Sequence, residues 1–277
     1  MTPLMEQTQS THKPFGRLLL TGAAGGLGKL LRERLKPWAD VIRLSDRAGL
    51  GEAGPGEEIV YCDLADRDGM LKLLEGVDAV LHFGGISVED RFEPIMQANI
   101  LGLVNLYEAC DKAGVKRVIF ASSNHAVGFY DNTGVIDTDA PTRPDGYYGV
   151  SKCFGESLSR YYFDRFGIET VCIRIGSVLP EPTTRRIMST WLSHDDFLEL
   201  LRCSLFTQRV GHTIVYGSSD NDALWWDNSK ARHLGFRPRD SSRQYAHLFP
   251  DTVQRPAADD LPAKYIGGPF VTRGPMY

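Results

Sequence analysis

From Arg17 onward, short runs of β-branched and leucine residues alternate with longer stretches whose apolar positions recur at helical spacing. Arg17–Thr21, Val41–Leu44, Ile59–Cys62, Ala79–Phe83, Arg117–Phe120 and Thr170–Ile175 are of strand length and composition. Leu27–Leu35, Met70–Leu74, Ile95–Ala113 and Tyr148–Phe166 lie between them and carry a period near 3.6. Strand–helix alternation of this kind predicts an α/β protein, a Rossmann doubly wound parallel sheet covered by helices. Ligands of such sheets bind at the carboxyl ends of the strands.

After Gly176 the rhythm changes. Pro180 and Pro182 interrupt it, a polar helix is predicted around Asp195–Arg202, a strand at Thr213–Tyr216, a short helix near Asn228–Leu234, and Arg255–Tyr277 reads as an irregular tail. The expected organisation is a disordered tail over 1–14, a Rossmann domain over 15–176, and a small C-terminal portion over 177–277. That last portion is too small to fold alone, and is expected to cap the sheet and form a substrate cleft against it.

Composition narrows the partners. With 31 basic against 35 acidic residues and a net charge of -4, the chain lacks the basic field that concentrates nucleic acid or anionic lipid, so small-molecule chemistry is expected. Five widely spaced cysteines, with no C-x-x-C pair and no histidine at ligand spacing, read as reduced thiols rather than a metal site. No stretch approaches the roughly 20 apolar residues of a membrane span, and Met1–Pro14 lacks the apolar block of a signal peptide. A cytoplasmic protein is expected.

Two motifs carry chemistry. Thr21-Gly22-Ala23-Ala24-Gly25-Gly26-Leu27-Gly28 joins the first strand to the first helix, where glycines let backbone approach a pyrophosphate and the helix start offers free N–H groups. Asp46 ends the second strand, 18 residues past Gly28, where a carboxylate accepts from the adenosine ribose hydroxyls and repels a 2′-phosphate. NAD is therefore the expected cofactor, although Arg47 beside Asp46 could attract that phosphate. Asp63 and Leu64 are expected near the adenine, and Phe83 and Gly84 near the ribose and nicotinamide.

Tyr148 and Lys152, four apart, share one face of a helix. Bringing a phenol of pKa about 10 to about 7 needs roughly 4 kcal/mol of phenolate stabilisation, about what one ammonium at ~4 Å supplies at an effective dielectric near 20. Taken alone, such a pair is usually a surface neighbour pair; the glycine motif upstream and Ser122-Ser123 ending the fifth strand change that balance.

Glycine motif, Asp46, Ser123 and Tyr148-x-x-x-Lys152, in this order, resemble the extended short-chain dehydrogenases. The resemblance implies that Ser123 binds the reacting oxygen, Tyr148 exchanges its proton, Lys152 holds the cofactor ribose and lowers the tyrosine pKa, and Asn99 supports a proton relay. Phe120-Ala121-Ser122-Ser123-Asn124-His125, Gly84-Gly85-Ile86-Ser87, Ser193-His194-Asp195-Asp196-Phe197 and Trp225-Trp226-Asp227-Asn228 further resemble the uronate dehydrogenase branch, from Arg17 to about Val271. That branch implies oxidation of free hexuronates and a small-molecule sugar acid as partner, and because relatives of this fold commonly associate through helices such as Ile95–Ala113 and Tyr148–Phe166, a homo-oligomer is expected. The branch further implies Arg186 as the ligand of the substrate carboxylate, with Ser87, Asn124, His125 and Ser177 binding sugar hydroxyls. Two alternatives remain at this point. A nucleotide-sugar epimerase or dehydratase would need more than the about 100 residues after Gly176, and such dehydratases carry Asp-Glu where this chain has Asn124-His125. A non-catalytic NAD-binding regulatory module usually lacks the Tyr or the Lys.

Overall fold

The computed structural model describes residues 13–249 and 259–274; most of the predicted N-terminal tail, and residues 255–258 and 275–277 of the C-terminal one, lie outside the described residues. Its main sheet has seven strands: β1 (Phe15–Thr21), β2 (Ala39–Asp46), β3 (Glu57–Tyr61), β4 (Ala79–His82), β5 (Arg117–Ser123), β6 (Glu169–Ile175) and β7 (His212–Gly217). Their spatial order is β7-β6-β5-β4-β1-β2-β3, and all neighbours run parallel. The order reverses between β1 and β4, which opens a crevice at their carboxyl ends.

The strands read as continuous apolar runs because both faces are covered. Leu18 and Leu20 of β1 and Ile119 of β5 point to one face, where they meet Leu31, Phe197, Leu200 and Leu201. Leu19, Val118 and Phe120 point to the other, against Met70, Leu103, Leu106 and Tyr107. Five longer helices supply that cover: α1 (Gly26–Arg34), α2 (Arg67–Leu73), α3 (Gly102–Ala113), α4 (Tyr147–Phe166) and α5 (His194–Phe206).

Three expectations are corrected. The Asp195–Arg202 segment is not a polar helix; α5 buries Phe197, Leu200, Leu201 and Leu205, spaced to form one stripe, against the sheet. The single helix read over Ile95–Ala113 is interrupted by a π-helical turn at Met96–Leu101, which aims Asn99 inward. The tail is not wholly irregular. Leu261–Lys264 is helical, Gly268–Thr272 is a 3-10 helix, and Phe270 of this segment stacks on His125 at one end of the crevice. The predicted Thr213–Tyr216 strand becomes β7, the edge strand paired to β6, because Ile214 and Val215 are apolar on opposite faces. All five cysteines are free thiols, as expected, and four are buried.

Two of the four branch motifs, Trp225–Asn228 and Ser193–Phe197, make architectural contacts. Trp226 stacks on Tyr216 with ring centres 5.2 Å apart, and the Asn228 amide clamps the Tyr216 backbone, accepting from its N at 2.8 Å and donating to its O at 2.9 Å. Ser193 caps α5, and Asp196 accepts from the backbone N–H groups of Arg239 and Asp240.

Candidate active site

The crevice is a cleft of about 710 Å³ lined by the loops after β1, β2, β3, β4, β5 and β6. Gly22 has φ +72°, and a Cβ there would stand 2.5 Å from the Phe83 carbonyl; one at Gly28 would stand 2.2 Å from Gly22 O. These two glycines let β1, β4 and α1 close on one another. Gly25 and Gly26 do something different: Gly25 caps α1 with no side-chain hydrogen bond, a Cβ at Gly26 would meet nothing within 4 Å, and no acidic residue occupies the first turn. Backbone N–H groups at a positive helix end thus face open cleft, a cradle that fits a pyrophosphate.

Asp46 is held by the N–H groups of Ala24 and Ala48, both at 3.0 Å, one to each carboxylate oxygen. Each oxygen retains further acceptor capacity, and Asp46 lines the cleft. Arg47, Asp63, Leu64 and Leu27 also line it. Phe83 contributes backbone, since its ring turns away to meet Phe197 edge-on at 5.8 Å. Gly84 donates its N–H to Thr21 Oγ at 3.1 Å, joining the β1 and β4 loops.

Tyr148 and Lys152 sit on the first turns of α4, both buried and both lining the cleft. Ser123, at the end of β5, lines it beside them and accepts the His125 N–H at 3.2 Å. Burial pushes the Tyr148 phenol up to about 12; the adjacent Ser123 hydroxyl opposes this and Asp145 adds to it. Burial likewise pulls the Lys152 ammonium down to about 8. The lowering of the tyrosine expected from spacing is therefore outweighed in the protein by itself: Lys152 donates to Ala121 O at 2.8 Å and lies 5.4 Å from the Tyr148 ring centre.

The helix that carries Tyr148 and Lys152 is anchored by a residue without a motif. Glu89 is buried and accepts from the N–H groups of Tyr147 and Tyr148 at 2.8 and 2.9 Å, with no room for a Cβ at Gly146 between them. A carboxylate there satisfies two orphan donors at a positive helix end. Glu89 shares its loop with Ser87, and Asn99 grips the same loop, accepting from Ile86 N at 2.8 Å and donating to Ile86 O at 2.9 Å and to Ser151 Oγ at 3.0 Å. The Asn99 side chain thus ties the Ser87 loop to α4.

Ser87, Asn124 and His125 line the cleft at its far end from the glycine loop; Ser177 and Arg186 do not. The Ser177 hydroxyl is bonded to Thr190 Oγ at 2.9 Å. Arg186 lies beside Asn124: with the Asn124 amide nitrogen donating to Ile175 O at 3.1 Å, its oxygen accepts from Arg186 Nη2 at 3.3 Å. The tail closes over this arginine through the Ile266 carbonyl and Gly268. Arg186 makes no salt bridge among the described residues, its Nε is buried without a partner, and burial pulls the guanidinium down to about 10. Sequence reasoning missed Glu89, Asp145 and Phe270, whose partners are remote in the chain. Only Asp145 carried a trace, lying three residues before Tyr148.

The comparisons agree with this geometry. Residues 18–194 match the NAD dependent epimerase/dehydratase family. A uronate dehydrogenase of Pseudomonas putida is 56% identical over 267 residues, covering 96% of this chain and 99% of the relative. The crystal structure of a glucuronic acid dehydrogenase from Chromohalobacter salexigens superposes with TM-score 0.91 at 47% identity, covering 94% of this chain and 97% of that one. A mutant uronate dehydrogenase from Agrobacterium tumefaciens, solved in complex with NAD, superposes equally well at 0.91 with 49% identity over 94% and 98% of the two chains. With a reversed sheet order, a glycine cradle and a carboxylate ending β2, the chain belongs to the NAD dependent epimerase/dehydratase family and, within it, to the uronate dehydrogenases.

Proposed function

We propose that the protein oxidises the C1 hemiacetal of free hexuronates, D-glucuronate and D-galacturonate, to the aldarolactone, reducing NAD. The observation that carries the substrate class is Arg186, a half-buried guanidinium that makes no salt bridge among the described residues and whose buried Nε has no hydrogen-bond partner there, set beside the cleft residue Asn124. A buried cation is costly unless an anion meets it, and a guanidinium matches a carboxylate in two parallel hydrogen bonds.

NAD, when bound, supplies the hydride acceptor and a cationic ring that favours a nearby phenolate. The glycine loop from Gly22 to Gly28, Leu27 included, would hold its pyrophosphate, Asp46 and Arg47 its adenosine ribose, Asp63 and Leu64 its adenine, and Phe83, Gly84, Tyr148 and Lys152 its nicotinamide side. Tyr148, as phenolate, takes the proton of the C1 hydroxyl. Ser123 orients that oxygen, and Lys152 keeps positive charge near the phenolate. Ser87, Asn124, His125 and Ser177 would bind the remaining hydroxyls, with Ser177 releasing Thr190 to do so. No helix among the described residues is long and apolar enough to cross a membrane. We infer a homo-oligomer acting in the cytoplasm.

The test is NADH absorbance in the near ultraviolet with glucuronate, galacturonate, glucose and UDP-glucuronate, with Tyr148→Phe as control. Turnover of the free acids alone, lost in the variant, supports the reading. Turnover of the nucleotide sugar alone would move the protein to the epimerase-like alternative.

A further inference from the structure

Asp145 immediately precedes the catalytic helix region and is completely buried, with 0% side-chain exposure. Its Oδ2 lies 2.7 Å from His125 Nδ1, and its Oδ1 has no hydrogen-bond partner among the described residues. The chain makes space for it deliberately: a Cβ at Gly128, Gly149 or Gly267 would fall 2.0, 3.2 or 1.9 Å from a carboxylate oxygen. Gly128 and Gly267, from separate segments, leave room for this carboxylate, while Gly149 chiefly leaves room for the His125 carbonyl, 2.4 Å from a Cβ there. The His125 ring is fixed as well, stacked on Phe270 with centres 3.8 Å apart and edge-on to Tyr148 at 5.7 Å.

An ionised carboxylate only accepts, so at this distance Nδ1 must carry a proton, and Nε2 is the ring nitrogen left for the cleft that His125 lines. We propose that Asp145 is a positioning residue that fixes His125 in its Nδ1–H tautomer, so that Nε2 offers a lone pair to a sugar hydroxyl next to the oxygen that Tyr148 deprotonates. The assignment of that hydroxyl rests on the hexuronate reading given above. An acceptor of this kind confers specificity, because an analogue lacking the hydroxyl leaves a buried acceptor unpaired. It acts on a crowded set of charges: Asp145 faces His125 directly, Tyr148 and Lys152 come from α4, and Arg186 feels the same carboxylate from beneath the tail. Removing the Asp145 charge would therefore also ease ionisation of Tyr148.

Asp145→Asn keeps the shape but lets an amide donate to Nδ1, which permits the other tautomer. The expected result is a fall of about 100-fold in kcat/KM for glucuronate. NAD affinity should be unchanged, and the acidic limb of the pH profile should move to lower pH, which a purely structural lesion would not do. On the full wild-type chain, nitrogen-15 histidine NMR at neutral pH should show His125 protonated at Nδ1 and bare at Nε2. A His125 carrying its proton on Nε2, or on both nitrogens, overturns the proposal even if the Asn variant fails to fold. Kinetic constants of that variant within about twofold of wild type overturn it too. The Nδ1–H signature in a protein that turns over no hexuronate would support the tautomer assignment while refuting the substrate reading.

Discussion

The two ends of the cleft are built on different principles. At the nucleotide end the ligand-facing groups are mostly backbone: N–H groups at the start of α1 and a carboxylate whose orientation is set by two neighbouring amides. What is left unsatisfied there is backbone, the uncapped donors at the start of a helix. At the opposite end, where the sugar is proposed to bind, the groups are side chains drawn from Ser87, Ser123–His125, Asp145, Arg186 and the tail at Ile266–Phe270, and two buried polar atoms, Asp145 Oδ1 and Arg186 Nε, have no hydrogen-bond partner among the described residues. A backbone cradle tolerates changes of side chain and recognises what nucleotides share. A cage of buried side chains recognises one substrate, and each of its unpaired atoms costs stability until the ligand arrives.

That contrast can be broken at several points. Tyr148→Phe removes the base proposed above; kcat should fall by about 1000-fold or more, with NAD affinity, read by fluorescence titration, nearly unchanged. A loss of NAD binding in that variant would show that the two ends are not separable. Arg186→Met should raise KM for glucuronate by about 100-fold with little change in NAD affinity, since a desolvated charge-assisted pair is worth several kcal/mol. An equal loss with a neutral aldose would remove Arg186 as the discriminating group. The pH profile sharpens the middle of the cleft. Because burial holds the Tyr148 phenol up to about 12, the base form grows with pH, and kcat/KM should climb about tenfold per unit from the acid side. The climb should flatten above about 8, where Lys152 gives up its proton and its charge no longer favours the phenolate. The smallest effect is expected from Asp46→Ser, about a tenfold loss of NAD affinity with a relative gain for NADP, measured by titration with both cofactors.

The Arg32–Glu57 pair at 2.6 Å offers a control outside the cleft. Arg32, with Lys36 and the Gly54 N–H, pulls Glu57 from 4.5 down to about 2. A depressed carboxylate stabilises the fold above its unfolded pKa, so this contribution is present above about pH 4.5 and lost as pH falls toward 2, without bearing on substrate choice.

The sequence by itself determined the parallel sheet, because strands buried on both faces must be apolar at successive positions, and that pattern is written locally. It also determined the nucleotide cradle: Thr21–Gly28 holds its turn, its close approach and its helix start within eight residues, and Asp46 ends the next strand. Tyr148 and Lys152 were legible for the same reason, being one helical turn apart. Only the tertiary structure decided what surrounds them. Glu89 reaches Tyr148 across 59 positions, Asp145 reaches His125 across 20, and the Ile266 carbonyl reaches Arg186 across 80. The π-helical turn that aims Asn99 at Ile86 carries no periodicity that distinguishes it from a continuous helix. Contacts of this kind depend on how loops close over the sheet, and a single chain's spacing records the elements rather than the angles at which they meet.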